Sequence, residues 1–183
     1  MRKILIGILI LTGLITLFLI YNHKQLPTEE DVFNMTDKWS LRTEEVYFVR
    51  EIDGDWLTMF RNSHSITVAR LEQNWLGNWK VRDEEGYEST LISTSYPPRE
   101  EDEITWASSG SNGKSLSYYF GQILNPMIYR IEVETKKNVF EDALIFSPQG
   151  LRFFFIKSDE DMFLPVNIRA FSEAGELIYS TVK

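Results

Sequence analysis

Cysteine is absent from the 183-residue chain, and histidine occurs only at positions 23 and 64. The missing cysteine excludes disulfides, thiolate chemistry and a lipid-modified cysteine at a leader junction. With two histidines and no H-E-x-x-H, a histidine-rich zinc site cannot be assembled. No G-x-S-x-G elbow is present, and a serine hydrolase triad would have to use His64, because His23 lies beside an apolar segment. His64 reads as a polar loop residue. The sequence therefore assigns no catalytic, cofactor-binding or metal-binding residue, and no cofactor is expected. It leaves open whether the protein is an enzyme but favours a non-catalytic one.

Basic residues are also scarce beyond the N-terminus. All 27 Asp and Glu follow residue 24, whereas Arg2, Lys3 and Lys24 flank the apolar segment. The rest of the chain carries 16 Lys and Arg against those 27 acids, a net charge of −11. Nucleic acid and anionic lipid head groups need basic patches, so neither is an expected partner of this part. Cationic partners or divalent ions are permitted, but plain solubility is the simpler account.

What the chain does have is a long apolar run. Ile4–Tyr21 reads ILIGILILTGLITLFLIY, 18 residues without a charge or a polar stripe. At 1.5 Å per residue a helix of that length spans about 27 Å, close to the hydrocarbon core of a bilayer. No A-x-A-like site follows in Tyr21–Pro27, so an uncleaved signal anchor over residues 1–24 is favoured over a cleaved leader. Arg2 and Lys3 before the span, against Lys24 after it, place the N-terminus in the cytoplasm and the remainder outside the cell.

Residues 25–43 read as a stalk with a helical turn or two. Pro27-Thr28-Glu29-Glu30-Asp31 has the signature of a helix start, and Val32, Phe33, Met35 and Trp39 could cover one end of a domain. From residue 44 to 183 the pattern changes to short β-like runs broken by turn residues. Val46–Ile52 ends at Asp53-Gly54, a strong hairpin signal, and Trp56–Arg61 follows. Further runs are Ile66–Leu71, Trp79–Arg82, Tyr87–Ser93, Ile104–Ala107, Leu116–Leu124, Met127–Glu134, Val139–Phe146, Leu151–Lys157, Val166–Phe171 and Leu177–Val182. About a dozen short strands and no convincing helix predict an all-β, sandwich-like domain behind one transmembrane helix. Tyr96–Arg99 and the acidic run Glu100–Glu103 interrupt the strands, which allows two Ig-like halves, 44–98 and 103–183.

Ser108–Ser115, SSGSNGKS, ends like a phosphate-binding loop. The motif needs a glycine at position 108, which is serine, and a helix after Ser115. Leu116–Leu124 instead reads as a strand, so Ser108–Lys114 is expected to be a flexible connection and no nucleotide is expected. Acidic runs at Asp83-Glu84-Glu85, Glu100–Glu103 and Asp159-Glu160-Asp161 lack the spaced register of a calcium loop and read as hydrated turns. Paired carboxylates could serve a glycosidase, but sequence does not give their separation. Trp39, Trp56, Trp75, Trp79 and Trp106 belong to a high aromatic load. Core packing is the default for them, although exposed aromatics could stack on sugars or receive a peptide. Trp75 and Trp79 flank a turn, so at least one is expected to be partly exposed. Gly7, Thr12, Gly13 and Thr16 could let two spans pack closely, a pattern too common to argue a dimer.

Phe60–Val81 (FRNSHSITVARLEQNWLGNWKV), Tyr118–Glu134, Gly150–Ile156 and Val166–Ser180 together resemble small anchored or secreted extracytoplasmic proteins of Gram-positive bacilli. The resemblance implies an apolar N-terminus and a β-rich domain, and transfers no catalytic residue. Three functions remain in view. The first is a single-pass membrane protein with an extracytoplasmic β-sandwich that binds or senses a protein or cell-envelope partner. The second is a cell-envelope hydrolase using paired carboxylates. The third is a structural or regulatory subunit of a membrane complex.

Overall fold

Short apolar runs punctuated by Gly, Asn and Asp become thirteen strands in the computed structural model, which describes residues 2–83, 85–110 and 115–182. Two helices precede them. The first, α1 (Arg2–His23), is exposed along its apolar length apart from the half-buried Leu19, and is long and apolar enough to cross a membrane. Thr12 and Thr16 donate their hydroxyls to the carbonyls of Ile8 and Thr12 at 2.9 Å, which satisfies both donors within the helix. The second, α2 (Glu29–Thr36), begins with a capping box. The Thr28 hydroxyl accepts from the Asp31 N–H, and the Asp31 carboxylate accepts from the Thr28 N–H. Glu29, Glu30 and Asp31 add negative charge to its positive end.

The strands form three antiparallel sheets. The first contains β1 (Glu45–Ile52), β2 (Asp55–Arg61), β3 (Ser65–Gln73), β4 (Trp79–Arg82) and β5 (Ile92–Ser95), in the order β1-β2-β3-β4 with β5 also paired to β3. The first hairpin turns through Asp53 and Gly54, both at positive φ, as a two-residue loop requires. The remaining strands are β6 (Ala107–Gly110), β7 (Ser117–Ile123), β8 (Arg130–Lys136), β9 (Val139–Asp142), β10 (Leu144–Phe146), β11 (Arg152–Ser158), β12 (Ile168–Phe171) and β13 (Leu177–Ser180). The second sheet runs β10-β11-β7-β6, the third β13-β12-β8-β9.

Three buried clusters give the order of the layers. Leu57, Met59, Ile66 and Val68 of the first sheet meet Tyr118, Phe120, Phe153 and Phe155 of the second. The alternate residues of those second-sheet strands, Tyr119, Ile123, Phe154 and Ile156, meet Ile131, Val133, Ile168 and Ala170 of the third. On the far side of the first sheet, Val32 of α2 is buried among Val46, Phe60, Ala69, Leu71 and Val81, with Met35 and Trp39 packed alongside. The layers are therefore α2, first sheet, second sheet, third sheet. The segment read above as a stalk carries this docked helix; of Val32, Phe33, Met35 and Trp39, Phe33 is the exposed one, at 40 %. The stretches 44–98 and 103–183 share the first cluster.

Four expectations on strands need correction. The run Tyr87–Ser93 yields a strand only over Ile92–Ser95. Asp83 Oδ1 accepts from the N–H groups of Glu85 and Tyr87, and Gly86 takes φ +85°, so the chain closes into a loop first. Ile104–Ala107 contributes one isolated bridge, Ile104 to Ile123, and the strand lies over Ala107–Gly110. Ser108–Gly110, expected to be flexible, is thus paired to Tyr119, Tyr118 and Ser117. Val139–Phe146 is two strands, because the chain leaves the third sheet and enters the second at Ala143.

Both faces of β7 are covered and all seven of its residues are buried. Gly121 sits opposite Phe154 in the pairing with β11. A Cβ at this position would stand 1.8 Å from the Thr105 carbonyl oxygen and 2.6 Å from the Phe154 ring. Gly121→Ala should cost about 3 kcal/mol or more, since a rigid strand and a buried ring would both have to move. Chemical denaturation followed by tryptophan fluorescence reads this; an unchanged midpoint would show that the layers part easily.

A second prediction concerns acid. The Glu134 carboxylate accepts from the Asn138 N–H at 2.7 Å and from Asn167 Nδ2 at 2.8 Å, and these bonds hold its pKa below the usual 4.5. A carboxylate depressed on folding stabilises the protein above its unfolded pKa, and this is lost as pH falls through the lower folded value. Glu134→Gln should therefore be less stable than wild type at neutral pH, with the difference shrinking below pH 4.5. Denaturation midpoints across the acid range measure it. A constant difference at every pH would assign the effect to packing instead.

Candidate functional site

Among the described residues, two clefts at the margins of this stack stand out. The larger, about 410 Å³, forms where all three sheets come together. Thr94 and Ser95 come from β5, Ile104–Trp106 lead into β6, and Tyr179 comes from β13. Pro97, Pro98, Arg99 and Asp102 close it from the connection between the first two sheets. That connection is held by a reciprocal turn: Arg99 N donates to Asp102 Oδ2 and Asp102 N donates to the Arg99 carbonyl, both at 3.2 Å. Thr94 and Thr105 are buried, Trp106 and Tyr179 half-buried, and Arg99 exposed. Thr105 Oγ1 accepts from the Gln122 N–H at 3.2 Å, which fixes it to the middle sheet. The lining thus combines aromatic surface, hydroxyls and one cation. Such a set can hold a ligand with an apolar face and a polar or anionic edge. Asp102 is its one carboxylate, and it is already engaged by backbone.

The second cleft, about 370 Å³, lies between the end of α1, α2 and the β3–β4 turn. Amide side chains dominate it: Asn22, Gln25, Asn34 and Asn78, beside Asp31 and Lys80. Here the apolar helix is fastened to the domain. Asn22 Nδ2 donates to the Leu76 carbonyl at 3.1 Å. Gln73 Nε2 donates to the carbonyls of Asn22 and Gln25 at 3.3 and 3.2 Å, and Trp79 Nε1 donates to the Gln25 carbonyl at 3.1 Å. The turn itself is organised by Asn74, whose Oδ1 accepts from the N–H groups of Leu76 and Asn78. At its tip Gly77 has φ +82°, and an added Cβ would lie 2.7 Å from Asn22 Cβ and 2.9 Å from the His23 nitrogen.

The other residues singled out by sequence are scattered. His23 donates from Nδ1 to the Leu19 carbonyl at 2.9 Å, within its own helix. His64 is exposed in the β2–β3 turn with Nδ1 2.6 Å from the neighbouring Ser63 hydroxyl, and among the described residues no carboxylate orients its other nitrogen. Ser111–Lys114 of the SSGSNGKS stretch lie outside the described residues. On either side of them the chain is strand, β6 and β7, so no helix N-terminus supplies amides for a phosphate. Glu84 is likewise outside the described residues; its neighbour Asp83 is occupied by turn amides. Glu103 accepts from Asn125, and Glu160 pairs with Lys136 at 3.2 Å. Among the described residues no group of three or more His, Asp or Glu could hold a metal ion. Of the tryptophans flanking the turn, Trp75 is 78 % exposed and Trp79 half-buried.

Compared with models of protein families, with curated proteins and with solved structures, the chain has no match.

The joint between α1 and the domain generates a prediction. Gly77→Ala introduces both a strained φ and a clash, whereas Gly86→Ala at φ +85° introduces the same strain in open space. Gly77→Ala should leave the core intact while raising amide exchange over residues 22–28; Gly86→Ala should not. Equal exchange in both variants would mean that the close approach to Asn22 is not holding the joint.

Proposed function

We propose that the chain is a single-pass membrane protein that presents a β-sandwich-like domain outside the cell, as a non-catalytic binding or sensing module. The cleft at the meeting of the three sheets carries this reading. Its lining of Trp106, Tyr179, Arg99 and two buried threonines suits recognition rather than bond-breaking. Envelope carbohydrate or an extended peptide would satisfy such a surface. The apolar α1, the charge flanks of the span and the resemblance to extracytoplasmic proteins of Gram-positive bacilli support the address. A glycoside hydrolase needs two carboxylates facing one site. Each cleft is lined by one: Asp102 accepts from the Arg99 N–H in its turn, and Asp31 closes the capping box of α2.

Protease shaving of intact cells, with a C-terminal tag, should remove the tag while the protein stays with membranes. Protection until lysis would put the domain in the cytoplasm and end the envelope reading. A photocrosslinker at Arg99 should then capture a saturable partner, and Trp106→Ala or Tyr179→Ala should weaken capture about tenfold, the usual scale for an aromatic anchor. Capture that does not saturate, or is indifferent to both changes, would sink the cleft as the binding site.

A further inference from the structure

We propose that the Asn74–Asn78 turn is a second contact with the membrane. Trp75, in the turn fastened to the end of α1, rests in the headgroup zone of the bilayer that α1 enters, and the domain is held down on the lipid surface at two points. The proposal rests on α1 being a transmembrane span.

The level of the turn follows from the joint. Tyr21 ends the uncharged run, and Asn22 is the first polar residue after it. In a spanning helix that change marks the boundary between hydrocarbon and headgroups, a zone about 5–7 Å deep on each side. The Leu76 carbonyl accepts from the Asn22 side chain, and Gly77 touches Asn22 and His23 directly. The turn therefore sits at the level of that boundary, with Trp75 adjoining Leu76. Burial does not explain Trp75, which is 78 % exposed, more than any other large hydrophobic residue among those described. Leu26 and Tyr21, at 65 % and 64 %, are exposed around the same helix end. Tryptophan and tyrosine favour this zone because an apolar ring and one polar N–H or O–H match its two environments.

Charge agrees. The domain is acidic overall, yet Gln73–Arg82 (QNWLGNWKVR) contains no Asp or Glu and carries Lys80 and Arg82. An acidic turn there would be repelled by anionic lipid, and this one is not. The contact is aromatic rather than electrostatic, so it should persist at high salt and in zwitterionic lipid.

The natural absence of cysteine makes the test direct. Single cysteines at Trp75, at Leu11 in mid-span and at exposed Tyr129 of the third-sheet region would be spin-labelled in the full-length protein. The protein would be reconstituted in phosphatidylcholine nanodiscs, and accessibility to oxygen would be compared with accessibility to a water-soluble nickel chelate. The expected result is loss of nickel access at position 75 relative to 129, with position 11 accessible to oxygen alone. As a check with the native ring, brominated phosphatidylcholine should quench wild-type fluorescence more than that of Trp75→Ser. If position 75 matches 129 while 11 is shielded, the span stands and the second contact is overturned. If all three are open to nickel, the span itself is wrong and the contact falls with it.

Discussion

A strand covered on both faces has no side on which to place a solvated residue. Ser117–Ile123 meets that constraint by sending Tyr118 and Phe120 into one core and Tyr119 and Ile123 into the other, with Gly121 between them. Gly121 lets Phe154 lie across the strand, and the remaining aromatics then divide between two cores. The Phe120 and Phe153 rings stack at 6.0 Å with planes 12° apart, and Phe153 also meets Phe146 at 6.0 Å and Tyr47 at 5.6 Å. Each buried aromatic contributes about 2 kcal/mol by area alone. The outer sheets are less demanding because each has only one neighbour of its own kind. The first sheet solves its remaining exposed face by recruiting α2, so the short helix is a structural lid on Val46, Phe60 and Leu71.

How much of this could be read from the sequence depends on whether the deciding interaction is local. Asp53-Gly54 specifies its hairpin through the backbone of two residues, and the structure has that turn. The Thr28–Asp31 cap is equally local. Leu116–Leu124 reads as a strand from its aromatic run, and Ser117–Ile123 within it is one. Tyr87–Leu91 misleads because the alternation of Tyr87, Ser89 and Leu91 with Glu88 and Thr90 resembles a strand, and the chain instead follows a turn wired by Asp83. Val139–Phe146 misleads because a change of sheet at Ala143 has no signature in the strand itself. The demand on Gly121 is set by Thr105 and by Phe154, 33 residues away, and nothing near Gly121 announces either.

The clefts illustrate the same limit. Arg99 and Asp102 form a local turn visible in outline as an acidic, proline-rich break, but Tyr179 arrives from the last strand. Trp75 could be placed in a turn and suspected of exposure. That the turn abuts the end of α1 depends on Asn22 and Gln73, which are 51 residues apart. The composition was more decisive about what is missing. With no cysteine and only two histidines, thiolate and histidine-rich metal sites are excluded by inventory, whereas whether any of the 27 Asp and Glu converge depends on the fold.

The fastening of α1 has a mechanical consequence. A tether of flexible residues would let the domain swivel and would absorb any pull upon it. Here four side-chain bonds and a glycine contact join the helix end to the first sheet within a few residues of where the apolar run stops. A torque applied at the far sheet is then delivered to the helix as tilt or rotation, with the stacked sheets acting as a lever arm and the Asn22–Gly77 contact as its fulcrum.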